Sequence, residues 1–169
     1  MGSKEDLEAL TVAGSDVQLL VVLLKLASII GRPMKECVSE RHQIAPNDLQ
    51  VLMCLAGEGT LAGQEIATVM AMTPMNVSRS LAALERLGWT TRVANEGNRR
   101  RRPVQLSAKG WEAYGAMLPD VRSVARRLFQ PFDKHDRMEF GGHLKRLIHQ
   151  VETWDEADGP APTASAGPD

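Results

Sequence analysis

Residues 73–89, TPMNVSRSLAALERLGW, decide how this chain folds. Thr73 has the side chain of a helix N-cap, and Pro74 suits the first helical position, where a missing N–H leaves nothing unsatisfied. Val77, Leu81 and Leu84 follow at i, i+4 and i+7, the stripe of a helix buried on one side, and Gly88 ends it. The other side gathers Asn76, Ser78 and Arg79 near the start, with only small alanines beyond. A helix that merely covers a core shows solvent a face of Glu and Lys. This one offers a flat, hydrogen-bonding surface that suits a charged partner.

On the N-terminal side, a short helix is expected over 62–70, with Ile66, Val69 and Met70 inward. The three residues Ala71, Met72 and Thr73 join it to the first stretch. Two short helices so joined form a helix-turn-helix, whose second helix lies in the major groove of DNA. Another helix is expected after Pro46, capped by Asn47 or Asp48, with Leu49, Leu52, Met53 and Leu55 inward and its end at Gly57. On the C-terminal side runs WTTRVANEGNRRRRPVQL. Its β-branched and aromatic residues over 89–93, the turn signal NEGN, and Val104 and Leu106 flanking Gln105 predict a β-hairpin. The tip and second strand carry Arg99, Arg100, Arg101 and Arg102. Side chains alternate along a strand, so these four cannot all point one way.

Long helices flank this centre. The first, over 16–38, is apolar nearly all round its first half, and such a helix must be buried on every side. A small domain rarely surrounds one alone, so a second subunit is the expected cover. Ser107 caps another long helix, with Tyr114, Leu118, Val121, Val124 and Leu128 in its stripe and a kink expected at Pro119. A final helix carries Met138, Leu144, Leu147, Ile148, Val151 and Trp154. These last two stripes would be buried against each other and against a twin subunit. Residues 1–15 read as a loose arm or short helix, and 155–169, rich in Pro, Ala, Gly and acid, as a disordered tail. The fold class is mostly α with one small β-hairpin.

Composition narrows the function. A length of 169 residues suits one domain, and 43% apolar residues suffice for its core. The net charge of −1 argues against nucleic acid, but it averages two unlike parts. Residues 73–110 hold eight cationic side chains against Glu85 and Glu96, a net of +6, which leaves −7 elsewhere. Such concentration marks a polyanion-binding patch on an acidic body. No uninterrupted apolar run reaches about 18 residues, so no membrane span is expected, and no signal-peptide pattern opens the chain. A cytoplasmic protein is the simplest reading. Cys37 and Cys54 make neither a disulfide framework nor a zinc site, and the four histidines form no i,i+4 pair, so no metal is expected. With no nucleophile–base pair or phosphate loop in the sequence, neither an enzyme nor a cofactor is expected.

The order of helix, helix-turn-helix, basic hairpin and two long helices resembles the MarR (multiple antibiotic resistance regulator) family of winged-helix transcription factors. The likeness spans about residues 17–154. One block, IATVMAMTPMNVSRSLAALERLGWTTR, is similar to the family's helix-turn-helix entering its first wing strand. The other, NRRRRPVQLSAKG, resembles the wing signature of an Asp-Arg-Arg run, a Leu-Thr pair and a Lys-Gly pair. Asn98 stands where the family carries the aspartate, and Ala83 where it often carries a basic residue. The resemblance implies a winged helix-turn-helix over 46–106 and dimerisation helices over 16–45 and 107–154. It implies a homodimer on a pseudo-palindromic DNA operator, acting as a repressor released by a small aromatic or anionic effector.

Candidate contacts follow. Asn76 suits adenine and Arg79 guanine, each in bidentate fashion. Ser78 and Thr73 suit phosphates or bases, Met75 a thymine methyl, and Pro74 starts the same helix. By the resemblance, Arg100 enters the minor groove, while Arg99, Arg101 and Arg102 meet phosphates or flanking charge. Arg32, Lys35, Arg41 and His42 surround the junction of the first two helices, and they are the candidate lining of the effector pocket that the resemblance implies between the dimerisation helices and the DNA-binding lobe. Two alternatives stand beside this reading: a thiol-based sensor using Cys37, and a winged helix that binds protein rather than DNA.

Overall fold

The computed structural model describes residues 14–93 and 102–153. The element order is α1 (Asp16–Met34), α2 (Pro46–Glu58), α3 (Gly63–Val69), α4 (Pro74–Arg86), β1 (Thr90–Arg92), β2 (Val104–Leu106), α5 (Ala108–Leu128) and α6 (Lys134–Glu152). This is the mostly α architecture expected, with one two-stranded sheet. The chain divides into two compact units, one reaching Ala125 and one beginning at Arg126.

In the first unit, Ser15 caps α1 by accepting the Gln18 N–H at 3.3 Å, and Asp16 adds negative charge at the positive helix end. None of α1 is buried within the single chain; Leu20 is 57% exposed and Leu24 61%. By length and composition Asp16–Ser39 is apolar enough to cross a membrane, a measure that the core helix of a soluble protein also meets; the sequence expectation was that no span occurs. That expectation counted uninterrupted runs, and Gln18, Lys25 and Ser28 break the run without making the helix polar. Two residues after Pro33, which supplies no N–H, the helix widens into a π-helical turn over Lys35–Ser39. Cys37 sits in this turn.

The second helix corrects two expectations. Pro46 already occupies its first turn and Ala45 is the N-cap, so neither Asn47 nor Asp48 caps it; Asp48 instead faces the helix dipole from inside the first turn. The terminating glycine is Gly59, at φ +84°, rather than Gly57. Leu49, Val51, Leu52, Cys54 and Leu55 are buried. In α3, Ile66 and Ala67 are buried, but Val69 is 52% exposed rather than inward, because the helix ends there and Met70 turns the chain. Ala71 makes the turn at φ +49°.

Thr73 and Pro74 take the predicted places at the start of α4, with the Thr73 hydroxyl oxygen accepting the Asn76 N–H at 3.2 Å. At the far end, the Gly88 N–H bonds to the Glu85 carbonyl and the Trp89 N–H to the Leu84 carbonyl, both at 2.9 Å. With Gly88 at φ +73°, this is the paired-bond glycine stop of a helix. Strands β1 and β2 are antiparallel, with Thr90 opposite Leu106 and Arg92 opposite Val104. Leu61 adds a bridge that sequence periodicity had not indicated, exchanging both backbone bonds with Val104. Val38, Leu52, Leu55, Ile66, Val77, Leu84, Leu106 and Met117 are among the residues of one core.

Helix α5 starts at Ser107, whose hydroxyl accepts the Gly110 N–H, and it continues through Pro119 as one helix. Met117 and Val124 are its buried apolar residues, while Tyr114 and Val121 are partly covered. In the second unit, Asp133 and Asp136 cap α6 reciprocally, and Phe129, Phe132 and Phe140 pack against one another. No α6 residue is buried, with Met138 and Val151 two-thirds exposed. The readings of residues 1–13, of Trp154 and of the tail lie outside the described residues.

Candidate nucleic-acid interface

The face of α4 is set by what its other side buries. Val77, Ser80 and Leu84 are buried and Leu81 is half-buried, which turns Met75, Ser78, Arg79 and Ala82 outward. Met75 is 68% exposed, a large apolar side chain held in solvent at the helix start. Asn76 is half-buried, one residue from the packed Val77. Met75, Ser78 and Arg79 are three and four residues apart, so they share one ridge. Thr73 and Pro74 are exposed at the helix origin. The structure therefore brings together the Thr73, Pro74, Met75, Asn76, Ser78 and Arg79 set. Arg102 is exposed just before β2, and Arg99, Arg100 and Arg101 lie outside the described residues.

Between α4, the start of α3 and the sheet lies a cleft of about 360 Å³. Its polar lining includes Gln64, Ser78, Glu85, Thr90, Arg92 and Arg102. The Arg92 guanidinium donates to both carboxylate oxygens of Glu85, Nε to Oε1 at 3.1 Å and Nη2 to Oε2 at 3.2 Å. These hydrogen bonds, and then the carboxylate's charge, raise the arginine's hold on its proton. Thr90 Oγ1 is buried without a hydrogen-bond partner among the described residues. Neither the pair nor the cleft was foreseen. Glu85 and Arg92 are seven residues apart across a helix end and a turn, a spacing that no helix or strand period connects.

The residues expected around an effector divide. Arg41 Nη1 donates to Asp120 Oδ1 and His42 Nε2 meets Asp120 Oδ2, both at 2.8 Å. One carboxylate on α5 thus gathers both side chains. Lys35 pairs with Glu40 on its own turn at 3.7 Å, and Arg32 is exposed in the last turn of α1. Asp120 was missed because it lies 78 residues from His42. Cys37 is half-buried. Cys54 is buried, and that burial, followed by the charge of Glu58, pushes its thiol pKa up.

Residues 44–101 match the family model of the MarR family. The HTH-type transcriptional regulator PecS of Dickeya dadantii (strain 3937) is 22% identical over 143 residues, covering 81% of this chain and 83% of PecS. Among solved structures, a MarR-family transcriptional regulator from Silicibacter pomeroyi superposes with a TM-score of 0.72 at 16% identity, covering 83% of this chain and 94% of its own. Bordetella bronchiseptica BpsR, whose DNA binding is regulated by 6-hydroxynicotinic acid, gives 0.63 at 15% identity, covering 78% of this chain and 98% of its own. The solved structures establish the shared fold, and the family match spans the helix-turn-helix and the first strand. The helix-turn-helix lies within the residues that match the MarR family model, and the chain shares the winged-helix fold of solved MarR-family regulators.

Proposed function

We propose that the protein is a homodimeric repressor, acting in the cytoplasm on a pseudo-palindromic operator and released by a small aromatic or anionic effector. The observation that carries the DNA part is the ridge of Met75, Ser78 and Arg79 on a helix firmly buried along its other side. Rigid presentation matters because bidentate base contacts tolerate little displacement. Arg79 to guanine and Asn76 to adenine would carry sequence readout, with Arg100 in the minor groove and Arg99, Arg101 and Arg102 along its flanks.

The dimer reading is supported by α1. Val17, Leu19, Leu20, Val21, Val22 and Leu24 are each more than two-fifths exposed in the single chain. A contiguous apolar surface of that kind marks an interaction site. The effector reading is supported by Arg41 and His42, drawn together on Asp120 beside the turn that leads into α2. An aromatic acid would compete with Asp120 for these donors, as its carboxylate offers the same oxygens. Such an acid regulates DNA binding in BpsR. Displacing Asp120 would loosen α5 from the entrance to the helix-turn-helix and shift the separation of two recognition helices, which must meet major grooves about one helical turn apart.

Footprinting of the full-length protein on genomic promoter fragments tests this. Protection of a two-fold site with half-sites about 10 base pairs apart, lost on adding an aromatic acid, is the expected result. Uniform protection without sequence preference would contradict it.

A further inference from the structure

Glu85 is a carboxylate on the side of the molecule that should meet a polyanion. Like charges repel across such a face, so an unpaired acid there would oppose binding. It lies seven residues after Ser78, two turns along the same flank of α4, and both side chains line the cleft beside the hairpin. Arg92 is the last residue of β1, two after the buried Thr90 and therefore on the same strand face. Its two parallel bonds to Glu85 fix the plane of the guanidinium as well as its distance. Among the described residues no other ion pair joins α4 to the hairpin. Strand β2 has its own anchor in the Leu61 bridge; β1 has this pair. The chain beyond Arg92 leads to the four-arginine run, whose last member, Arg102, lines the same cleft.

We propose that Glu85 is a positioning residue for DNA binding. By clamping Arg92 it holds the base of the hairpin against the reading helix, so that Arg102 beside it reaches the DNA backbone in register with Arg79. The same clamp removes Arg92 from the cations available to phosphate. This inference rests on the reading that α4 enters the major groove.

The test uses full-length protein on two duplexes that contain one protected site. One is trimmed to the site, and the other is extended by about 10 base pairs on each side. The expected result is that Glu85→Gln binds the extended duplex about threefold to tenfold more weakly, the range for an exposed pair counted once per wing. On the trimmed duplex it matches the parent, and its slope of log affinity against log salt is unchanged. The charge-swapped double variant Glu85→Arg/Arg92→Glu recovers most of the loss, a rescue that a generally damaged fold would not give. Binding of Glu85→Gln that is equal or tighter on the extended duplex, with a slope steeper by about one unit per wing, would make Arg92 a phosphate contact and overturn the proposal. Equal losses on both duplexes would also overturn it, because the effect would then pass through α4 alone. Arg79→Ala is the control on the premise. If it leaves specific affinity intact, the placement of α4 has failed; if it loses affinity while Glu85→Gln does not, only the clamp has failed.

Discussion

Gly110 shows how a single residue can be required by its lack of a side chain. A Cβ there would lie 2.0 Å from the Trp89 carbonyl oxygen and 2.9 Å from its carbon. That carbonyl is fixed, since it accepts the Ser107 N–H, while the Ser107 hydroxyl donates to the Gly88 carbonyl at 2.6 Å. Gly110→Ala must push α5 off the start of the hairpin, and a loss of about 2 kcal/mol or more is expected in urea denaturation. Gly31→Ala, with open space around it, should instead gain up to about 1 kcal/mol. The Lys-Gly pair was legible in the sequence only as a pattern; its physical reason needed the neighbouring carbonyl. The cysteines yield a second expectation. Burial raises the Cys54 pKa, so the neutral thiol is favoured in the fold, and its contribution to stability is lost as alkaline pH climbs through the raised value. Cys54 should resist iodoacetamide at neutral pH until the protein unfolds, while the half-buried Cys37 reacts first. Simultaneous reaction in native protein would contradict this placement.

At the scale of elements, α4 was the most legible part of the chain, because its signals are local. Cap, first-turn proline, apolar stripe and glycine stop all stand within Thr73–Gly88. Thr73→Ala should cost about 1 kcal/mol of stability by thermal unfolding, and Thr73→Ser should retain most of it, since the hydroxyl oxygen accepts the Asn76 N–H. An unchanged midpoint for the alanine variant would refute the cap. What the sequence hid was settled by packing between elements. Ser80 is a polar residue inside the buried stripe, and Leu61 pairs with Val104 as a lone bridge too short to give any period. Val69 had the correct spacing to point inward, yet its helix ends before a neighbour covers it. The choice of Gly59 over Gly57 depended on which residue takes positive φ, a matter of one turn's geometry. Glu85 with Arg92, and Asp120 with Arg41 and His42, are likewise contacts between elements that no single period foretells.

At the scale of the molecule, uneven charge and uncovered apolar surface were both readable from composition along the chain. The cationic segment over 73–110 contains the helix that presents Arg79, and α1 leaves its apolar residues exposed. The sequence could say that these helices needed cover, because a helix apolar all round has no solvent face. It could not say which side chains would meet. The central claim is that α4 reads DNA sequence, and fluorescence anisotropy of parent and Arg79→Ala on the protected site and on random duplex of equal length tests it most directly. A guanine contact predicts a loss of about 1–3 kcal/mol on the protected site, little change on random DNA, and a steep salt dependence retained in both proteins. Equal losses on the two duplexes, or none on either, would contradict it.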